Sequence, residues 1–188
     1  LTERHPTAPA ARHDAIDRLT HWPAPDPQQE QLRRELLAHI TAHPDGLSKA
    51  GPPDHLTASL VVLDDARQRV LLTLHRRARA WFQFGGHIEH DDATLWHAAA
   101  REGREESGID DLRVFPEIVH LDRHLLDGDF GTCREHLDVR FAAIAPPGSV
   151  PDVSTESLDV RWWPVDALPS GSRDDLTPLV MAALRLRR

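Results

Sequence analysis

Leu32, Leu36 and Ile40 recur at helical spacing behind Asp26, Pro27 and Gln29, which predicts an amphipathic helix. Asp26 can cap it, Pro27 suits its first position, and Gln29 can complete a capping box. Pro44 and Gly46 stop the run, and the first fifty residues read as helical throughout. Beyond Gly51-Pro52-Pro53 the pattern changes. Residues 56–63 (LTASLVVL) and 69–74 (RVLLTL) are β-branched and aliphatic-rich, with a hairpin turn between them in the region of Asp64, Asp65 and Gln68. Further strands are predicted at 112–119, 136–144 and 158–163, and helices at 93–107 and 176–187. A mixed sheet with helices packed on it follows, an α/β (α+β) sandwich.

No repeat or low-complexity tract interrupts this order. The expected organisation is a helical extension over residues 1–53 and one domain over 54–188, a length that can bury a proper core. The apolar share of 40% and charged share of 28% are those of soluble globular proteins. No apolar run reaches the roughly 20 residues that span a bilayer. A formal charge of -8 argues against non-specific nucleic-acid binding, which cationic side chains drive. Cys133 is the single cysteine, so no internal disulfide forms. With no basic-then-apolar leader at the start, a reduced, cytoplasmic protein is the expectation.

Chemistry concentrates in Gly85-Gly86-His87-Ile88-Glu89 and, after an acidic turn, in a helix ending Arg101-Glu102-Gly103-Arg104-Glu105-Glu106-Ser107-Gly108-Ile109. At about 100° per residue, Glu102, Glu105 and Glu106 fall within an arc of roughly 100°, so their carboxylates crowd one face. Such crowding needs a cation, and hard oxygen ligands suit Mg²⁺ or Mn²⁺. Arg101, four residues before Glu105, is placed to orient a carboxylate. Gly108 can stop the helix, and the glycine pair lets backbone approach the helix and offer a carbonyl to the metal. An isolated Glu-Glu pair is usually a solvated face. Seven specified positions at frequencies of roughly one in fifteen coincide by chance in about one window in 10⁸.

The stretch resembles the Nudix box, G-x5-E-x7-R-E-U-x-E-E-x-G-U with U aliphatic, and the hairpin before it and the Trp162-Trp163-Pro164 strand end after it resemble the wider family. The resemblance implies a Nudix-type α/β/α sandwich around a mixed sheet. It also implies a Mg²⁺- or Mn²⁺-dependent hydrolase that cleaves a nucleoside diphosphate linked to another group, by attack of water on phosphorus. Gly86 would lend its carbonyl, Glu102, Glu105 and Glu106 would hold the metal, and Arg101 would assist. Two departures stand out. Counted from Gly86, the pattern's first glutamate falls on Asp92, and eight residues rather than seven separate it from Arg101. Gly103 replaces an aliphatic residue, at about 1 kcal/mol of helix propensity and some packing.

By the same resemblance Glu156, six residues before Trp162, can serve as a further metal ligand or general base, with Asp152 or Asp159 as substitutes and an exposed loop acid as the plain alternative. The proton acceptor is Glu102 or Glu156. His87 is placed as a phosphate contact beside the glycine turn. Arg76, Arg77 and Arg79 bind phosphates or solubilise a loop, and Trp81 and Phe84 stack a base or pack the core. The thirteen histidines raise a zinc reading through His120-x3-His124 or His87 with His90, but a histidine pair lacks the cysteine or third ligand such sites use. Two rival functions are a nucleotide-sensing, non-catalytic module, disfavoured by the complete carboxylate set, and an isopentenyl diphosphate isomerase, which needs a reactive cysteine and finds Cys133 far beyond the box. The expected partner is a small nucleotide, and a homodimer is compatible with the sequence.

Overall fold

The structure, a computed structural model, describes residues 9–126, 132–155 and 157–186. Among them the elements run α1 (Pro9–His21), α2 (Pro27–Ala42), β1 (Asp54–Leu63), β2 (Arg69–His75), β3 (Trp81–Phe82), β4 (Phe84–His87), α3 (Leu95–Ser107), β5 (Arg113–Val114), β6 (His120–Leu125), β7 (Glu135–Ile144), β8 (Ser157–Pro164) and α4 (Leu176–Leu184). The strands follow the order β3-β2-β1-β7-β5, with β4 against β1, β6 against β7 and β8 against β2. The fold is mixed α/β, as the alternating patterns predict. No described helix is long and apolar enough to cross a membrane.

Contacts group the chain into two units, one of Leu1–Ala58, Gly86–Ala98 and Leu121–Val139, the other of Ser59–Gly85, Ala99–His120 and Arg140–Arg188. In the first unit α1 buries Ala11, Ala15 and Leu19 completely and α2 does the same with Leu36 and Ile40, each set on one helical face. Two arginines join the helices: Arg12 donates to the carbonyl of Ile40 at 2.9 Å and Arg33 to that of Leu19 at 2.9 Å. The Asp26 carboxylate caps α2 by accepting the Gln29 N–H at 2.8 Å. The Gln29 carboxamide turns to the backbone of Leu121, donating to its carbonyl at 3.0 Å and accepting its N–H at 2.7 Å.

In the second unit Val61, Leu63, Val70, Leu72, Ala142 and Ile144 lie at alternate positions of β1, β2 and β7 and pack with Leu176, Leu179, Val180 and Ala183 of α4. The opposite face of β1 meets α3, where Gly103 lies against Leu60. Helices on both faces make the second unit a sandwich. The β1–β2 hairpin pairs Val62 with Leu71 and Leu63 with Val70. Its turn closes on the Asp64 carboxylate, which accepts the N–H groups of Gln68 at 2.8 Å and Arg69 at 3.0 Å. The buried Arg140, 1% exposed, is paired with Asp175 at 2.6 Å. Desolvation raises the Asp175 carboxyl, but Arg140 and Arg173 outweigh it and hold the group at about 2.

Several boundaries depart from the sequence expectation. The strand predicted over 112–119 reduces to Arg113–Val114, because Pro116 has no N–H to donate. The short strands β3, β4 and β6 were not anticipated; β4 carries Gly85 and Gly86, residues that strands usually avoid. The predicted helix 93–107 begins at Leu95, and the helix predicted over 176–187 ends at Leu184, position 187 lying outside the described residues.

Candidate active site

Helix α3 carries the acidic cluster, and both its ends are fixed from outside. At its start the Thr94 hydroxyl accepts the His97 N–H at 3.0 Å and the Asp14 carboxylate of α1 accepts the Leu95 N–H at 3.0 Å. These contacts satisfy N–H groups that a helix start leaves unpaired. At its end Gly108 has φ of 67° and donates to the Arg104 carbonyl at 2.9 Å, while the Asp152 N–H reaches the Ser107 carbonyl at 2.8 Å. A Cβ on Gly108 would lie 2.6 Å from Asp152 Cβ, so the left-handed stop is open to glycine alone. Gly103 has a steric reason too. A Cβ there would stand 2.3 Å from Leu60 Cδ2, so the glycine sets the close approach of α3 to β1. The packing loss expected from the missing aliphatic side chain is filled by Leu60.

The carboxylates divide into two kinds of contact. Arg101 Nη1 bridges Glu102 Oε1 at 3.0 Å and Glu105 Oε2 at 3.2 Å. Glu106 Oε2 accepts the N–H of Gly85 at 3.0 Å, tying the glycine strand to the acidic helix. The Glu102 side chain is 16% exposed and that of Glu105 is 60% exposed, so Glu105 is open to solvent while Glu102 is sheltered beside the guanidinium. Glu102, Glu105 and Glu106 of α3 offer oxygen donors, the type a hard divalent cation takes.

The profile of the NUDIX domain matches residues 53–182. The chain belongs to the NUDIX family. Its fold is similar to that of the dihydroneopterin triphosphate pyrophosphohydrolase of E. coli, at 19% identity and a TM-score of 0.57 over 70% of this chain and 96% of the other. It is also similar to a C. elegans Ap4A hydrolase, at 19% identity and TM-score 0.55 over 68% and 93% of the two chains. A third similar structure is the NUDIX domain of Shewanella oneidensis NrtR complexed with ADP ribose, at 18% identity and TM-score 0.54 over 73% and 92%. A comparison with curated protein sequences gives no match.

The other Nudix residues singled out from sequence take varied places. Gly86 follows Gly85 in β4 and is half-buried. Asp92, where the box pattern has its first glutamate, is buried and its carboxylate accepts the Glu89 N–H at 2.8 Å, which closes the turn ahead of α3. Arg76 donates to the carbonyls of Thr155 at 3.1 Å and Ser157 at 2.9 Å. Trp81 packs edge-on to Trp163 at 5.3 Å on the border of the core, and Phe84 is fully buried. Of the carboxylates named as substitutes for Glu156, Asp159 is paired with Arg161 at 2.7 Å and Asp152 accepts the Val153 N–H at 2.8 Å. Glu156 itself lies outside the described residues.

His87 belongs to a second cluster, which the sequence did not reveal. Its ring lies 5.1 Å from that of His55 and 5.2 Å from that of His136, and those two are 5.2 Å apart. Cys133 Sγ is 3.9 Å from His87 Nε2. One donor atom from each of the four side chains falls within 4.8 Å of every other. Burial first, then the neighbouring His136 and His55, hold the His87 ring at about 3; burial, then His124 and His55, hold His136 at about 4; burial lowers His55 as well. All three imidazoles are neutral at neutral pH. The four positions, 55, 87, 133 and 136, share no short spacing except Cys133-x2-His136, which could have been the signal.

Proposed function

We propose that this Nudix protein is a divalent-metal-dependent hydrolase that cleaves the phosphoric anhydride bond of a nucleoside diphosphate linked to a second group. The observation that carries the reading is the coupling of Arg101 to Glu102 and Glu105 together with the Glu106–Gly85 hydrogen bond. It joins the acidic and glycine arms of the Nudix box in one local arrangement.

Glu102, Glu105 and Glu106, with the carbonyl of Gly86, would hold Mg²⁺ or Mn²⁺. The bound ion supplies charge neutralisation for the diphosphate and a polarised water. Arg101 keeps the carboxylates of Glu102 and Glu105 oriented. Glu102 or Glu156 takes the proton from the attacking water, a role in which general bases contribute typically 10² to 10⁴-fold. Arg76 ties the end of β2 to the loop before β8 through the carbonyls of Thr155 and Ser157. The substrate panel that tests this includes nucleoside triphosphates, nucleotide sugars, dinucleoside polyphosphates and ADP ribose. Each is incubated with Mg²⁺ while released phosphomonoesters are separated and counted. Turnover of at least one class that stops in excess EDTA is expected. Full turnover in EDTA, or no turnover across the panel with Mg²⁺ or Mn²⁺, overturns the reading.

A further inference from the structure

We propose that His55, His87, Cys133 and His136 form a closed four-ligand site for Zn²⁺ or a similar borderline-soft divalent ion, distinct from the acidic helix. The site lies wholly within the first unit. His55 stands on β1, His87 at the end of β4, His136 on β7 and Cys133 just before it, and both β4 and β7 pair with β1. The strand pairing itself therefore draws three imidazoles together.

Geometry and donor chemistry agree. Zn–N bonds of about 2.0–2.1 Å and a Zn–S bond of about 2.3 Å give tetrahedral ligand-to-ligand edges of roughly 3.3–3.6 Å. The four donor atoms lie within 4.8 Å of one another, with Cys133 and His87 3.9 Å apart, so they close to that edge by shifts of at most about 1.5 Å. Three nitrogens and one thiolate are a soft-to-borderline set that discriminates against Mg²⁺ and favours zinc.

The hydrogen bonds point the same way. His55 Nδ1 lies 3.2 Å from the carbonyl of Pro52. A carbonyl only accepts, so Nδ1 carries the proton and Nε2 presents its lone pair. This is the outer contact that fixes the tautomer of a metal-bound histidine. His55 Nε2 and His136 Nε2 are both buried without a hydrogen-bond partner, a placement that is ordinarily unfavourable. An ion at the centre satisfies both. The Cys133 segment is already anchored beside β1, since the neighbouring Arg134 donates its N–H to the carbonyl of Pro53 at 2.9 Å.

Four protein ligands leave no open position for water, so the ion is structural rather than catalytic. It clamps the start of β1, the end of β4 and the entry to β7. This reading is independent of the hydrolase proposal, and it replaces the phosphate-contact role that sequence spacing gave His87.

The test uses the full chain. Purified protein is dialysed against a metal-free buffer and its zinc measured by elemental analysis; one equivalent per chain is expected. The apo-protein, prepared with a strong chelator, is then titrated with Co²⁺. Intense visible bands of tetrahedral coordination and a near-ultraviolet thiolate charge-transfer band should both develop. Cys133→Ser should lose the charge-transfer band and bind the ion at least tenfold more weakly, the smallest loss expected when even an outer contact to a metal ligand is removed. Glu105→Gln should keep its zinc content, which separates this site from the acidic helix. The proposal is overturned if the wild-type chain holds no stoichiometric zinc and gives an octahedral Co²⁺ spectrum, or if Cys133→Ser keeps wild-type affinity and spectrum. Should that variant fail to fold, the wild-type Co²⁺ spectrum decides alone.

Discussion

Glu105→Gln separates the proposed chemistry of the acidic helix from its stability, because the two are expected to change by very different magnitudes. The substitution keeps the shape of the side chain and nearly the same helix propensity while removing one negative oxygen donor. On the folding side the loss is small: Glu105 is 60% exposed and its one ion pair, to Arg101 at 3.2 Å, is of the solvated kind worth about 0–1 kcal/mol. For a chain of this size that is a melting shift of at most about 4 °C. On the catalytic side, loss of a preorganised electrostatic contact to developing charge costs on the order of 10² to 10³ in rate, about 3–4 kcal/mol. Glu106→Gln is a less clean probe, since it also weakens the charge-assisted hydrogen bond from Gly85 at 3.0 Å. The assay is turnover at a series of Mg²⁺ concentrations, with thermal unfolding of the same samples without substrate. We expect a weaker metal response, a fall in rate of 10² or more and a nearly unchanged melting temperature. A variant with wild-type rate and metal affinity refutes the metal-ligand role. Equal losses in rate and stability would instead make Glu105 part of the scaffold.

Three further predictions rest on particular contacts. Asp14→Ala removes the carboxylate that accepts the Leu95 N–H and should destabilise the protein by about 1 kcal/mol, read by urea unfolding; no change would mean that Thr94 alone caps α3. Gly103→Ala should fail to stabilise, because the gain of about 1 kcal/mol in helix propensity is opposed by a Cβ placed 2.3 Å from Leu60 and overpacking costs about 1–3 kcal/mol; a raised melting temperature would show that Leu60 yields freely. Asp175, held at about 2 against an ordinary 3.8, binds fewer protons folded than unfolded between those values, so its stabilisation is complete above about pH 4 and is lost as pH falls toward 2. The linkage amounts to at most about 2 kcal/mol, less with solvent screening; the stability gap between wild type and Asp175→Asn, measured by urea from pH 5 down to 2, should narrow, and a constant gap counts against it.

Elements whose signal is local were legible in the sequence. The α2 cap works because Asp26 and Gln29 are three residues apart, and the β1–β2 hairpin because a turn joins two β-branched and aliphatic runs. The strand expected across 112–119 was misread for the complementary reason: its apolar residues carry the right pattern, but one missing N–H at Pro116 breaks the pairing. Short strands such as β4 are held by their neighbours rather than by their own composition, so Phe84-Gly85-Gly86-His87 gives no strand signal until β1 is beside it.

The same distinction divides the two donor clusters. Glu102, Glu105 and Glu106 sit on one helix, so a period of 3.6 residues is enough to place them on a common face before any fold is known. His55, His87, Cys133 and His136 come from separate strands and an adjoining segment, and only the pairing of β4 and β7 with β1 brings them together. No residue-spacing rule could connect position 55 with position 133. A search by spacing looks for zinc ligands in pairs such as His120 and His124, whereas His124 instead meets Asp122 at 2.8 Å. His87 shows the consequence within a single residue. Its place next to the glycine pair argued for phosphate, while its three-dimensional neighbours are two imidazoles and a thiol, donors that attract a soft cation rather than an anion.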